Sequence, residues 1–145
     1  MPNSHGLDSG RVLPMTLRRA YLLLHRETEA ALAGVGVTAD QFVLLAALAH
    51  ADSATQQDLV RRTASDPNTV RAMLIILERR DLVRRMPHPS DRRARTVTLT
   101  ESGRRAYSEA WIQTAAIRSE IAGALSAEEA AALTRLLDRV TDALS

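Results

Sequence analysis

The stretch "LVRRMPHPSDRRARTVTLT", Leu82 to Thr100, decides how this chain folds. Its ends, "LVRRM" and "RTVTL", are β-compatible runs of about five residues, and "PHPSDRRA" between them carries two prolines and a Ser-Asp pair that favour a turn. The pattern predicts a β-hairpin. Asp91, Arg92, Arg93 and Arg95 crowd four charges into five positions at its tip, so the tip belongs outside any packed interior. Val97 and Leu99 alternate with polar neighbours and are the expected inward anchors.

Upstream the period is helical. Val12 to Ala33 is rich in Leu, Ala, Arg and Glu and stops at "GVGV", where Gly34 and Gly36 can terminate a helix. "TADQFVLLAALAH" opens a second helix with a capping box, Thr38 to Gln41, and runs to about His50. "TQQDLVRRT" predicts a short third helix capped by Thr55, with Asp58 near its positive end. "SDPNTVRAMLIILERRD" predicts a fourth, with Asp66 as cap and Pro67 at the first helical position, where a missing amide hydrogen costs nothing. Val70, Met73, Leu74 and Leu77 share one face of it; Asn68, Ala72, Ile75 and Arg79 lie opposite, flanked by Arg71. After the hairpin, Thr100 caps a helix expected to continue to about Ala124, and "SAEE", Ser126 to Glu129, boxes the start of a last helix reaching Leu144.

At 145 residues the chain is expected to form one domain, burying roughly 68–70% of its unfolded surface. The first ten residues, "MPNSHGLDSG", have no apolar core or basic leader; they predict a flexible arm rather than a signal peptide or membrane anchor. There is no cysteine, which removes disulfides, cysteine-rich zinc sites and thiol redox sensing and fits a reducing cytoplasm. The net charge of +2 conceals an asymmetry, with 12 arginines against 5 acids between Arg61 and Arg105 and an acidic excess elsewhere. Such a segment is either a solvated surface or the footprint of a polyanion.

Element order favours the polyanion. Two helices, two short helices and a hairpin, with charge concentrated on the last two parts, make a mainly α fold with a small β-hairpin wing: a winged helix-turn-helix over 38–99. The fourth helix would enter the major groove by its N-terminal turn, with Asn68 suited to an adenine edge, Arg71 to guanine or phosphate, and Thr69 to phosphate. The hairpin arginines, Arg92, Arg93 and Arg95, would reach the neighbouring backbone or a narrow minor groove.

"DRRARTVTLT", Asp91 to Thr100, resembles the wing signature of the MarR family of bacterial transcription regulators. "GVTADQFVLLAAL", "DPNTVRAMLIILERRDLVRR" and "TESGRRAY" resemble the family's second helix, its recognition helix with first wing strand, and the start of its fifth helix. The likeness spans roughly Val35 to Tyr107. It implies a homodimer held by helices over 11–33 and 100–145, binding a pseudo-palindromic double-stranded operator, commonly as a repressor released by a small aromatic or phenolic effector. It also implies that Pro67, Asn68, Thr69 and Arg71 begin the groove-contacting helix, that Arg93 is the wing arginine, and that Asp91 orients the wing arginines by ion pairing. Tyr21, His25 and Trp111 lie on helices that, by resemblance, approach the effector region; they line a pocket there or pack in the dimer core.

Three features depart from the family pattern. Asp81 stands where a glycine commonly follows the recognition helix, Arg71 precedes Ala72 instead of following the hydroxyl residue directly, and Ile75 and Ile76 occupy positions that are often polar. The two isoleucines either pack against the wing or second helix or meet thymine methyls. The alternative function is a winged-helix module that binds protein without DNA.

Nothing in the sequence spells a catalyst. His88, Ser90 and Asp91 are too close along a hairpin tip to assemble a desolvated triad with an oxyanion site, and His5, His25 and His50 lack a second ligand at zinc spacing. No cofactor or metal is expected. In the last helix Ala130, Leu133, Leu137, Val140 and Leu144 form an apolar stripe that asks for a partner surface.

Overall fold

A computed structural model describes residues 4–145, with side chains from Gly10 onward. The chain divides into two compact units, Met1–Gln113 and Thr114–Ser145. The first unit holds α1 (Ser4–Leu32), α2 (Ala39–Ala49), β1 (Ala54–Thr55), α3 (Gln56–Thr63), α4 (Pro67–Arg79), β2 (Val83–Pro87), β3 (Arg95–Leu99) and α5 (Glu101–Gln113). The second holds α6 (Ala115–Ala124) and α7 (Ala127–Leu144).

The core of the first unit sits where α2, α3 and α4 meet the sheet. Leu44, Leu45 and Leu48 of α2, Leu59 of α3 and Val70, Leu74 and Leu77 of α4 are buried against Val83, Val97 and Leu99, joined by Leu32 of α1 and Ala110 of α5. Burying each leucine contributes about 1.5–3 kcal/mol, so this cluster orients the short helices that carry the basic surface. Val97 and Leu99 are the inward anchors their alternation suggested.

The hairpin pairs antiparallel from Val83↔Leu99 to Pro87↔Arg95. The expected two strands are three, however: β1 adds to the other edge of β3 through Ala54↔Val97 and Thr55↔Thr96, giving the order β1-β3-β2. A two-residue strand has no period to detect, and only the approach of β3 creates it. Thr55 then serves twice, ending β1 and capping α3. Its hydroxyl accepts the Asp58 amide at 3.1 Å while the Asp58 carboxylate accepts the Thr55 amide at 3.0 Å, a full capping box rather than a carboxylate merely near a helix end.

Two helix boundaries differ from expectation. Helix α1 begins at Ser4, so the supposed arm is helical over 4–10; residues 1–3 lie outside the described residues. Pro14 lies inside this helix, where it removes one backbone hydrogen bond from the ladder. The helix expected from Thr100 to Ala124 is interrupted at Thr114, whose φ of −95° and ψ of 6° leave the helical region. The Thr114 hydroxyl there accepts a hydrogen bond from Arg118 Nη1 at 2.8 Å.

A tight junction fixes the wing base to α5. Asp81 takes a left-handed backbone, φ 58°, after α4, a conformation Asp tolerates better than most residues. Its carbonyl accepts the Thr100 hydroxyl at 2.5 Å, and the same hydroxyl accepts the Gly103 amide at 3.0 Å. Leu82 and α5 approach so closely that a Cβ on Gly103 would lie 1.9 Å from the Leu82 carbonyl oxygen.

Candidate nucleic-acid interface

Helix α4 begins as its sequence requires. The Asp66 carboxylate accepts the Thr69 amide at 3.1 Å and Pro67 is the first helical residue. With Val70, Leu74 and Leu77 buried, the opposite side must face solvent: Asn68, Thr69, Arg71, Ala72 and Arg79 are all exposed. Among the described residues neither the Asn68 amide nor the Arg71 guanidinium has an ion-pair or side-chain hydrogen-bond partner, so both retain their full capacity for a ligand. Glu78, the acid on this helix, is engaged from the wing. Arg85 Nε lies 2.9 Å from Glu78 Oε2, off the axis of a good hydrogen bond, so the contact is an ion pair that ties β2 to α4.

The wing tip is built by backbone hydrogen bonds. His88 N donates to Ala94 O at 3.1 Å, closing the hairpin, and Ala94 N donates to Asp91 O at 3.2 Å. The Asp91 carboxylate accepts the backbone amide of Arg93 at 3.0 Å. That corrects the expected role: no guanidinium lies within ion-pair distance of Asp91 among the described residues, and the side chain shapes the turn instead, as Asp does in Asx-turns. His88 Nδ1 accepts the amides of Ser90 and Asp91 at 3.1 and 3.2 Å and lies 3.2 Å from the Ser90 hydroxyl. His88, Ser90 and Asp91 are therefore parts of a turn. Arg92, Arg93 and Arg95 project from it, exposed and without a carboxylate partner among the described residues.

Arg93 and Arg95 face a cleft of about 330 Å³ whose other wall is Thr55, Gln56 and Gln57 at the start of α3. The sequence reading missed the two glutamines. Their signal was a polar pair directly after a cap, which becomes meaningful only when β1 brings the start of α3 alongside the wing. Gln56 Nε2 also reaches the Pro67 carbonyl at 3.5 Å, touching the start of α4.

The suspected effector residues separate. Tyr21 and His25 lie side by side on α1 with ring centroids 5.8 Å apart and planes tilted by 32°, and His25 Nε2 lies 3.9 Å from Glu29 Oε1, which in turn accepts the Ala39 amide at 2.7 Å at the positive end of α2. Tyr21 lines a cleft of about 360 Å³ with Asp40, Val43, Leu44, Thr63, Ala64, Ser65 and Met73; His25 and Trp111 are not part of that lining. Trp111 lies against Tyr107, 6.1 Å between centroids with the rings tilted by 36°, and Tyr107 packs on Phe42 and His50. Ala64, at the helix-turn-helix turn, is left-handed with φ 50°.

Among the described residues no helix is long and apolar enough to cross a membrane. A three-helix core with a three-stranded sheet, an exposed basic edge on the fourth helix and an arginine-tipped hairpin defines a winged helix-turn-helix protein. Comparison with known proteins narrows the class: the MarR family model matches residues 37–94, and the chain is 40% identical over 107 residues to the HTH-type transcriptional repressor NicR of Pseudomonas putida, covering 73% of this chain and 67% of that one. The chain belongs to the MarR family. Among solved structures it is similar to the transcriptional repressor CouR bound to a 23-mer DNA duplex, with TM-score 0.78 and 27% identity over 92% of this chain and 95% of that one. It is likewise similar to BpsR of Bordetella bronchiseptica, described in a study of the regulation of its DNA binding by 6-hydroxynicotinic acid, with TM-score 0.77 and 33% identity over 89% of this chain and 92% of that one.

Proposed function

We propose that this protein is a homodimeric transcriptional repressor that binds a pseudo-palindromic DNA operator and releases it on binding a small aromatic effector. The observation that carries the reading is the pair of un-neutralised basic edges, Arg71 with Asn68 on α4 and Arg93 with Arg95 on the wing, supported from behind by one apolar core. Pro67, Asn68, Thr69 and Arg71 meet the major groove in this reading, Arg92, Arg93 and Arg95 meet the flanking backbone or minor groove, and Asp91 shapes the turn that presents them. Residues 11–33 and 100–145 supply the dimer contacts around a DNA-binding lobe over 38–99, and the half-sites lie one helical turn apart, about 34–36 Å, or a multiple of it. The repressor function of NicR and the duplex in the CouR structure support this assignment. The regulation of BpsR by 6-hydroxynicotinic acid supports an effector of similar size, for which the cleft beside Tyr21 is our candidate site. The chain works in the bacterial cytoplasm, at the nucleoid when bound, and carries out no catalysis.

Binding to labelled duplex DNA across a salt series tests this. We expect Arg93→Ala to weaken binding to every duplex and to reduce the log–log salt slope by about 0.9, one phosphate's worth. Asn68→Ala should instead change the ranking among duplex sequences. Absence of duplex binding even at low salt would overturn the proposal.

A further inference from the structure

The exposed side of α4 is not uniformly polar. Ile76 remains 44% exposed beside exposed Ala72, although the core-facing residues of the same helix are fully buried. Ile75, its neighbour, is half-buried, so packing accounts for one isoleucine and leaves the other unexplained. Thr69, Ala72 and Ile76 stand at i, i+3 and i+7, the spacing that puts side chains on one line of a helix. The Thr69 hydroxyl is turned back to the Asp66 carboxylate at 3.4 Å, leaving its methyl as the group free for the line. The result is a stripe of methyl groups about 10 Å long, roughly three base-pair steps of 3.4 Å.

What covers such a stripe is decided by its surroundings. Arg79 stands beside it without a carboxylate partner among the described residues, while Glu78, the acid of this helix, is held at 2.9 Å by Arg85 of the wing. An apolar protein surface would have to bury that guanidinium unpaired, which desolvation of a charge strongly disfavours. A polyanion with methyl groups inside a groove fits both components at once, and thymine C5-methyls in the major groove are that chemistry. We infer that Ile76, with Ala72 and the Thr69 methyl, is a specificity-determining contact that reads thymine methyl groups in each operator half-site. The inference rests on the DNA-binding reading above and adds to it a base preference at the second and third turns of α4.

The operator need not be identified in advance to test this. Full-length protein selects bound duplexes from a random library, and each thymine of the selected site is then replaced singly by uracil, which keeps every hydrogen-bonding group and removes only the methyl. At one or more thymines per half-site, uracil should weaken binding roughly three- to tenfold, the range expected for losing one buried methyl contact. Ile76→Ala, and to a smaller extent Ile76→Val, should bind the thymine and uracil duplexes equally. Selected half-sites without thymine, uracil tolerated within twofold at all positions, or an undiminished thymine preference in Ile76→Ala would each overturn the inference while leaving DNA binding intact. Loss of the dimer in Ile76→Ala would assign the stripe to a protein interface and overturn it as well. Failure of the wild-type protein to select any duplex would instead sink the DNA-binding reading on which it stands.

Discussion

Single residues carry the strain and the close approaches of this fold, and they make the sharpest mutational predictions. Gly103 is irreplaceable for a steric reason: the Leu82 carbonyl would sit 1.9 Å from any Cβ placed there, and that carbonyl is backbone anchored by Thr100 N at 3.1 Å. Gly103→Ala should lower stability by about 1–3 kcal/mol, the usual cost of overpacking, in urea or thermal unfolding. A change within experimental error would mean that α5 shifts without penalty. Asp81 makes the opposite prediction. Its left-handed backbone, φ 58°, costs more than glycine's would, while its contact with Thr100 runs through the carbonyl and survives substitution. Asp81→Gly should therefore raise stability by up to about 1 kcal/mol, the left-handed cost less the added entropy of an unfolded glycine.

At the scale of elements, caps decide where the short helices start and therefore where the basic groups stand. Helix α3 spans only eight residues, too short to persist alone, and is held by the Thr55–Asp58 box and by Leu59 in the core. The Thr55 backbone amide and then its hydroxyl hold the Asp58 carboxyl below its ordinary pKa; burial opposes them, and Arg61 adds a smaller lowering. A carboxyl depressed in the folded state stabilises fully above its unfolded pKa and loses that contribution as pH falls through the folded value. Asp58→Asn should accordingly flatten the loss of stability below about pH 4 relative to wild type. Glu129, lowered by the Ser126 amide and hydroxyl in the cap of α7, is common to both proteins, so the difference between them isolates Asp58. If the two acid limbs superimpose, the α3 cap contributes nothing measurable.

For the whole molecule the governing fact is exposed apolar surface. Val12, Leu13, Leu22, Leu23 and Leu24 of α1 and Leu133, Leu136, Leu137 and Leu144 of α7 are all solvent-accessible in the isolated chain, Leu144 at 84%. In the proposed dimer this is the surface a second copy covers. Leu133→Glu with Leu137→Glu should convert a dimer to monomer in sedimentation equilibrium and, by removing the second half-site contact, reduce operator affinity steeply; a doubly substituted protein that stays dimeric would move the interface elsewhere.

The sequence by itself determined α2, α3 and α4, the hairpin and the position of the arginines, because each follows from local periodicity, cap chemistry and turn residues within a few positions of one another. It also determined that Val97 and Leu99 point inward, since alternation fixes faces. Only the tertiary structure decided the rest. Strand β1 exists because β3 lies beside it, Gln56 and Gln57 face the wing arginines because that pairing brings α3 there, and Asp91 turns to the Arg93 amide because the folded turn offers a nearer partner than a guanidinium. It is likewise burial of Val70, Leu74 and Leu77, set by distant residues, that leaves Ile76 on the outside. Local signals name the elements; non-local packing chooses which of their atoms a ligand can reach.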